Sequence, residues 1–386
     1  MCGLTSMSIP ELAGLMEELG QPKFRARQVF EWISRGKRPQ EMTNLPKELR
    51  DKLDTLHYGG ASIYDKRVSA KDGTIKYLFQ LEDGNIVEGV LMSYHYGNTM
   101  CISTQVGCRM GCAFCASTLE GCIRNLEAGE MLSFIACAEK DVPHGDDKKR
   151  TVTNIVLMGS GEPLDNYDEV VKFLRLVSAP EGMNISPRNI SISTCGLVPQ
   201  LMRFTKEAPH VTLSVSLHAP NDETRDKIMP INRKYRTAEL LNAAKYYAEE
   251  TGRRVIFEYA LIKDVNSSER DAKELASRLK GINCHVNLIP LNHVEERHLT
   301  GVTRRDAEQF ASWLQGYGTS ATVRREMGSD IDGACGQLRR KTLQRERKAA
   351  KERQSMKYCA LSEKGKREHN EDSFLYPNTA RWPLLP

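Results

Sequence analysis

Cys108-Arg109-Met110-Gly111-Cys112-Ala113-Phe114-Cys115 is the stretch on which the reading of this chain turns. Three cysteines stand four and then three residues apart, and Gly107 and Gly111 let the backbone turn tightly around them. Thiolates are soft ligands, and a short loop presenting three of them suits a cubane iron–sulfur cluster. Three thiolates for four irons leave one iron open to a small molecule, unlike a four-cysteine electron-transfer site. Two plainer readings stand beside it: a zinc ion completed by Cys101 or Cys122, and buried thiols with no metal. The loop follows a strand-like segment, Thr99–Thr104, and precedes a helix-like one, Leu126–Val142. A ligand loop at the C-terminal end of a strand is where an α/β barrel keeps its chemistry.

Downstream, strand and helix patterns alternate. Strand candidates are Asn154–Met158, Asn189–Ser193, Thr212–Leu217, Val255–Leu261, Val286–Ile289 and Thr322–Arg324. Helical periodicity marks Asp168–Ser178, Thr237–Thr251, Ser268–Lys280 and Thr303–Gln315. Such alternation gives parallel strands with crossover helices. With the strand before the cysteine loop the pattern holds about six or seven strands, fewer than a closed eight-stranded barrel.

Polar groups gather at the ends of these strands. Gly159-Ser160-Gly161-Glu162-Pro163 follows Met158; its glycines admit a ligand close to the backbone, and Glu162 can accept hydrogen bonds from an ammonium group. Ser193-Thr194-Cys195-Gly196, Ser216-Leu217-His218-Ala219 and Asn287 to Asn292 end three further strands. Each alone reads as capping, but successive strand ends of a parallel sheet converge on one face. The last strand leads through Arg324-Arg325, candidates for phosphates or for structural carboxylates, into a glycine-rich loop that presents Cys335.

Upstream, residues 1–57 read as a small helical module. Leu12, Leu15, Met16 and Leu19 recur at helical spacing before Gly20 and Pro22, and Phe24, Val29, Phe30, Trp32 and Ile33 make a second pattern. Leu45, Leu49 and Leu53 make a third. Lys23, Arg25, Arg27, Arg35, Lys37 and Arg38 give a basic surface, either a solvated face or a phosphate-contacting one. Residues 58–104 look like strands with hairpin turns at Asp72-Gly73 and Asp83-Gly84-Asn85. In Ile86-Val87-Glu88-Gly89-Val90-Leu91-Met92, Glu88 is one carboxylate inside an apolar strand. Unpaired burial should raise its pKa and poise it as a proton acceptor; the alternative is a glutamate reaching water or an arginine.

The chain has 386 residues, is 40% hydrophobic, carries a net charge of +5 and has a mean hydropathy of -0.48. That length suits one barrel of about 250 residues with additions, and no run reaches the ~18 apolar residues of a membrane span. The start, Met1-Cys2-Gly3-Leu4-Thr5, lacks a basic region followed by an apolar one, so no secretory signal is expected. Eleven cysteines without a repeating framework point to a reducing, cytoplasmic setting.

With Phe114 before its last cysteine, the CxxxCxxC loop resembles the signature of the radical S-adenosylmethionine (SAM) enzymes, and Gly161-Glu162 resembles the segment that holds the amino group of SAM there. Pro22 to Ile33 resembles an RNA-binding N-terminal domain found in one family of that superfamily. Cys101, the cysteine loop, Gly161-Glu162-Pro163 and Gly328-Ser329-Asp330-Ile331-Asp332-Gly333-Ala334-Cys335-Gly336-Gln337-Leu338 together resemble the RlmN family of RNA adenine methyltransferases, and more distantly Cfr. The likeness covers roughly residues 7 to 350.

The resemblance implies an α/β fold, an open (β/α)6 radical SAM barrel over residues 105–344, preceded by a helical RNA-binding domain, 1–57, and a β-rich extension, 58–104. It implies a [4Fe-4S] cluster on Cys108, Cys112 and Cys115, and SAM lined by Gly161, Glu162, Pro163, Ser193, Ser216, Leu217, His218 and Asn292. Two SAM molecules are used per turnover. The implied target is carbon 2 of adenine in the peptidyl-transferase region of 23S ribosomal RNA, before or during ribosome assembly, and next to the anticodon in transfer RNA. That carbon is electron-poor and cannot attack a methyl sulfonium, so Cys335 takes a methyl group first. A radical made from the second SAM removes a hydrogen from that methyl, and the resulting methylene adds to the base. Cys101 then attacks the Cys335 sulfur and releases the product as a disulfide, while Glu88 is the candidate acceptor of the carbon-2 proton. A flavodoxin-like electron donor and a thiol reductant are implied partners; no membrane is. The alternatives are Cfr-type methylation of carbon 8, which confers ribosomal antibiotic resistance, and a non-enzymatic metal-cluster RNA-binding protein. Gly-Glu-Pro163, where Cfr-like chains have Gly-Glu-Ala, favours RlmN.

Past Leu338 the chain turns basic, and residues 345–386 are expected as a basic helix followed by a disordered tail. Met356 to Phe374 resembles the first residues of metal-dependent Ser/Thr protein phosphatases, and no phosphatase body follows. A reading frame running into a neighbouring gene near Met356 is the expectation that sequencing the coding DNA tests.

Overall fold

The computed structural model describes residues 3–144, 149–291, 298–331, 338 and 342. The expectations for Asn292, Cys335 and the tail beyond residue 342 lie outside the described residues. The chain divides into a unit Met1–Arg339, which holds the helices and strands named below, and a unit Arg340–Pro386.

Three short helices open the first unit: α1 (Ile9–Glu18), α2 (Arg25–Ser34) and α3 (Lys47–Asp54). Ser8 and Glu11 form a reciprocal capping box at the start of α1, satisfying backbone donors the helix cannot. Gly20 and Gly36, both at φ +67, end α1 and α2 in the left-handed region open to glycine. The leucine pattern buries as expected, with Leu12, Met16, Val29, Phe30, Ile33, Leu49 and Leu53 in the core. The basic residues are less bare than the sequence suggests. Lys23 pairs with Glu17 at 2.7 Å, Lys37 with Glu41 at 2.9 Å and Arg38 with Glu82 at 3.2 Å.

The strands come next: β1 (Ala61–Val68), β2 (Ile75–Leu81), β3 (Ile86–Tyr94), β4 (Gly97–Ile102), β5 (Gln105–Gly107), β6 (Cys122–Asn125), β7 (Val152–Leu157), β8 (Ile190–Thr194), β9 (Thr212–Ser216), β10 (Val255–Leu261), β11 (Cys284–Pro290) and β12 (Ala321–Val323). The helices between them are α4 (Ala128–Asp141), α5 (Tyr167–Ser178), α6 (Val198–Glu207), α7 (Asp222–Ile228), α8 (Thr237–Thr251), α9 (Glu269–Leu279) and α10 (Arg304–Gly316). Ten strands form one sheet in the order β1-β2-β3-β4-β7-β8-β9-β10-β11-β12. β1 to β4 are an antiparallel meander turned at Gly73 (φ +72) and Gly84 (φ +83), where the Asp-Gly signals stand. From β4 to β12 every pairing is parallel. β4, β7, β8, β9, β10 and β11 with their following helices make the six βα units, and β12 adds a seventh parallel strand. β5 and β6 pair apart as an antiparallel ribbon flanking the cysteine loop. Among the described residues no helix is long and apolar enough to cross a membrane.

Alternation along the parallel strands divides their labour. Ile155, Leu157, Ile190, Ile192, Leu213, Val215, Phe257, Tyr259, Val286 and Leu288 pack into the main core, which the helices complete with residues such as Val170, Leu201, Phe204 and Leu240. The residues between them point to the other face by the period of two; they include Ser191, Ser193, Thr212, Ser214, Ser216, Glu258 and Asn287, beside the apolar Val156 and Ala260. From β8 to β11 that face is lined mostly by polar groups.

Glu88 departs from the expectation of an unpaired carboxylate. It is buried, at 4% exposure, but Lys76 Nζ stands 3.2 Å from its Oε2. Leu78 lies opposite Glu88 in the β2–β3 register, so Lys76 is its diagonal neighbour on the same face.

Candidate active site

The site grows from the end of β4. Gly107 sits at φ +84, and a side chain there would meet Gly121 O at 2.0 Å, so only glycine brings the chain close enough to β6 for Cys108 N to donate to Gly121 O at 2.9 Å. The loop then crosses the strand ends. Ala113 N donates to Ile228 O at 2.9 Å, and Phe114 meets His218 edge-to-face at 4.9 Å. Cys112 packs in an apolar cluster with Cys195, Ala219, Ile228, Met229 and Ile262, against which Met110, Phe114 and Cys115 lie.

The donor set fits a cluster. Burial pushes the Cys108 thiol up to about 12, with the charge of Cys115 adding to the rise, and burial also raises Cys112, next to Cys115 and Cys108. Soft metal binding removes these protons and supplies the positive charge the apolar surroundings lack. No three His, Cys, Asp or Glu side chains among the described residues converge tightly enough for a single ion.

Beside the loop, Glu162 is buried with its carboxylate divided between two backbone donors. Leu164 N donates to Oε1 at 3.0 Å and Cys195 N to Oε2 at 2.7 Å. Burial still wins over these donors and raises its pKa. Such a carboxylate is short of positive charge, the condition an ammonium group relieves. Gly161, at φ +108, places it: a Cβ there would lie 2.7 Å from both Cβ and N of Gln105. Ser193 Oγ and Ser216 Oγ stand 3.3 Å apart across the next strand ends, and the neighbouring buried Ser214 Oγ has no protein partner. These groups fit SAM: Ser193 and Ser216 meet, Glu162 reaches the backbone two residues past Ser193, and His218 follows Ser216 by two residues. Pro163 opens a 3-10 turn directly after Glu162, and Leu217 is buried.

His218 occupies the left-handed region, φ +55. Its Nδ1 accepts from Ala260 N at 2.9 Å, so the ring is neutral with its proton on Nε2. Burial, helped by the charge of Arg225, depresses its pKa to about 3. Asn266 holds the same corner, donating to His218 O and to Ala260 O, both at 2.7 Å.

Several residues of this site escape the sequence reading. Arg225 is fully buried in α7 and donates to Cys195 O (2.7 Å), Leu217 O (3.0 Å), Ser216 O (3.1 Å) and Asn232 Oδ1 (3.1 Å). It ties the ends of β8 and β9 together under the loop, yet in sequence it sits in a polar run that reads as a solvated helix face. Glu258 lies on the polar lining beside Ser216; burial raises its pKa against the opposing charge of Arg324, and Asn287 Nδ2 donates to its Oε2 at 2.9 Å. Cys101, on β4, lies opposite Val90 of β3 and packs with Met92, Val156, Met158 and Met327. Extending that register sets Glu88 diagonally beside Cys101 on one face.

A three-cysteine loop at the mouth of a partial parallel barrel, with a carboxylate and serines at the adjoining strand ends, defines a radical SAM enzyme. Residues 102–276 match the Radical SAM superfamily, and residues 2–58 match the ribosomal RNA large subunit methyltransferase N-terminal domain. A probable dual-specificity RNA methyltransferase RlmN from Alkaliphilus oremlandii is 51% identical over 343 residues, covering 88% of this chain and 98% of its own. The Clostridium perfringens (strain 13 / Type A) relative of the same description is also 51% identical, covering 88% and 97%. The crystal structure of a radical SAM methyltransferase from Sphaerobacter thermophilus superposes with a TM-score of 0.82 at 43% identity, covering 87% of this chain and 99% of that one. The chain belongs to the RlmN family of radical SAM RNA methyltransferases. Enzymes of this superfamily use a [4Fe-4S] cluster and SAM.

Proposed function

We propose that this chain methylates carbon 2 of adenine in the peptidyl-transferase region of 23S ribosomal RNA and next to the anticodon of transfer RNA. The observation that carries the reading is the placing of Cys101 and Glu88 as diagonal neighbours on one face of β3 and β4, immediately before the cysteine loop. A thiol and a carboxylate side by side are what resolution of a protein–RNA adduct needs: one attacks sulfur while the other takes the carbon-bound proton. "Dual-specificity" in the names of the relatives supports two RNA substrates.

Cys108, Cys112 and Cys115 hold the cluster, and Glu162, Gly161, Pro163, Ser193, Ser216, Leu217, His218 and Asn292 hold SAM. When bound, cluster and SAM together supply the one-electron chemistry that lets an inert methyl group be activated. Cys335 carries the methyl group, Cys101 attacks its sulfur, and Glu88 accepts the proton, with Lys76 as counter-charge to its carboxylate. Residues 1–57 serve RNA binding: half-buried Arg25 lies 5.4 Å over the ring of Phe24, which is 62% exposed, and an open aromatic face backed by a guanidinium suits an unstacked base. Residues 58–104 supply Glu88 on β3 and Cys101 on β4, the first strand of the parallel run. A flavodoxin-like donor supplies the electron and a cellular thiol re-reduces the cysteine pair.

Mass spectrometry of ribosomal and transfer RNA from cells with and without the protein tests this. 2-Methyladenosine should appear only with it; 8-methyladenosine in its place refutes the assignment.

A further inference from the structure

The hairpin between β3 and β4 turns on two residues, His95 and Tyr96, set between Tyr94 and Gly97, which pair across it. Asn, Asp and Gly usually fill so tight a turn. Here both positions carry rings, and both residues are exposed, Tyr96 at 61%. Tyr96 lies flat on Tyr94, with centroids 5.0 Å and planes 5° apart, and His95 meets Tyr96 edge-on at 5.1 Å. Neither ring of the turn fills the core, so packing does not account for them.

The stack is held in place from below. Gly97, at φ +125, lets the chain fold against β7: a Cβ there would lie 2.2 Å from Thr153 Oγ1. Thr153 Oγ1 donates to Asn98 O at 3.0 Å and accepts from Asn154 Nδ2 at 2.8 Å. Tyr94 OH donates to Met92 Sδ at 3.5 Å, and Tyr94 packs on the cluster of Val90, Met92 and Cys101. Met327 packs on the same cluster, so the segment Arg324–Met327 passes beside Tyr94. Arg324 and Arg325 are exposed, and Glu326 is the one carboxylate of that run. Burial raises the Tyr94 pKa, and the charges of Arg324 and Arg325 oppose the rise. Arg324 also faces the charge of Glu258, so Arg325 is the better placed of the two for an outside anion.

We propose that Tyr96, backed by Tyr94, stacks an unpaired RNA base other than the target adenine, and that Arg325 pairs with a phosphate of the same strand. This rests on reading RNA as the substrate. By the period of two, Glu88, Val90, Met92 and Tyr94 share one face of β3. Six residues separate Glu88 from Tyr94, roughly 20 Å along the strand, so a base presented to Glu88 does not also reach Tyr96. The stack therefore addresses a second nucleotide. An open ring takes any base, because every base has a π face, and a neighbouring cation meets its backbone. A base inside a duplex has both faces covered, so the site selects looped or single-stranded RNA. Contacts this far from the reacting carbon form equally in ground and transition states, so they lower KM and leave kcat alone.

The test uses the full, cluster-loaded chain under anaerobic conditions with two fluorescein-labelled RNAs: a hairpin carrying the target adenine in an unpaired loop, and the same strand annealed to its complement. Fluorescence anisotropy reads affinity, and SAM-dependent methylation of the hairpin reads KM and kcat. Tyr96→Ala should weaken hairpin binding between about five-fold and about a hundred-fold and raise KM to match, with kcat, cluster absorbance and thermal midpoint little changed. Its binding to the annealed duplex should not change. Tyr96→Phe keeps the ring and should bind like the parent. Arg325→Ala should reduce the slope of log affinity against log salt by about 0.7; an unchanged slope removes the phosphate contact. A Tyr96→Ala protein that binds the hairpin like the parent overturns the stack, as does an equal loss on hairpin and duplex, or a loss as large with Tyr96→Phe. A parent chain that binds neither RNA overturns the reading of RNA as its substrate instead.

Discussion

Replacing Lys76 by methionine is the sharpest perturbation of the inner face. Lys76 is fully buried and its Nζ stands 3.2 Å from Glu88 Oε2, with the two side chains 0% and 5% exposed. At an effective dielectric of about 20 a pair at this separation attracts by about 5 kcal/mol. Desolvating the two ions costs several kcal/mol each, so the intact pair adds little net stability. Removing one partner strands the other, and Lys76→Met should cost about 3–5 kcal/mol. Lys76→Met combined with Glu88→Gln should recover most of that loss, since neither charge then remains. Urea denaturation of the parent, both single variants and the double variant gives the cycle. RNA methylation gives a second axis, on which every variant lacking Glu88 should be inactive even when as stable as the parent. If Lys76→Met costs less than about 1 kcal/mol, the pair behaves as an exposed one and the argument from burial fails. If Glu88→Gln methylates RNA normally, its place as proton acceptor falls.

Three further outcomes are expected of the site. His218 is held neutral with its pKa depressed to about 3 by burial, so below its unfolded value of about 6.5 the unfolded chain binds the extra proton. Stability should therefore fall as pH drops from about 6.5, by up to about 1.4 kcal/mol per unit, and His218→Gln should flatten that slope between pH 6.5 and 5 in urea titrations; an unchanged slope contradicts the buried neutral ring. Gly161→Ala forces a Cβ to within 2.7 Å of Gln105 and displaces Glu162, so equilibrium dialysis should show SAM affinity reduced at least about ten-fold, one pKa unit's worth of energy, and parent-like affinity rejects Glu162 as the ammonium partner. Cys101→Ala should accumulate a covalent protein–RNA adduct on denaturing gels, and normal turnover by that variant removes its resolving role.

Much of the fold is written in local pattern. β10, Val255–Leu261, and α8, Thr237–Thr251, have the limits that alternation and periodicity give, because an apolar strand face and a glycine stop are local facts. Ser193 and Ser216 meet at 3.3 Å, as the ends of neighbouring parallel strands should. What stayed hidden depends on partners distant in sequence. Arg225 is legible only once the carbonyls of Cys195, Ser216 and Leu217 surround it. The Lys76–Glu88 pair was within reach: counting outward from the Asp83-Gly84 turn sets Leu78 opposite Glu88 and Lys76 one diagonal away. The contact of Asp330 with Ser69 joins residues 261 apart, and no period or motif reports it.

The two-faced strands carry a consequence for how this protein tolerates change in length. In β9, Leu213 and Val215 face the helices while Thr212, Ser214 and Ser216 face inward. Deleting one residue from this strand exchanges the two sets, sending hydroxyls into the hydrocarbon layer and leucine toward the ligand. Substitution on the inner face leaves the apolar layer intact, so chemistry there is free to vary residue by residue. Insertions and deletions have no such freedom, and should survive only in the loops, where the count of residues does not decide which way the next side chain points.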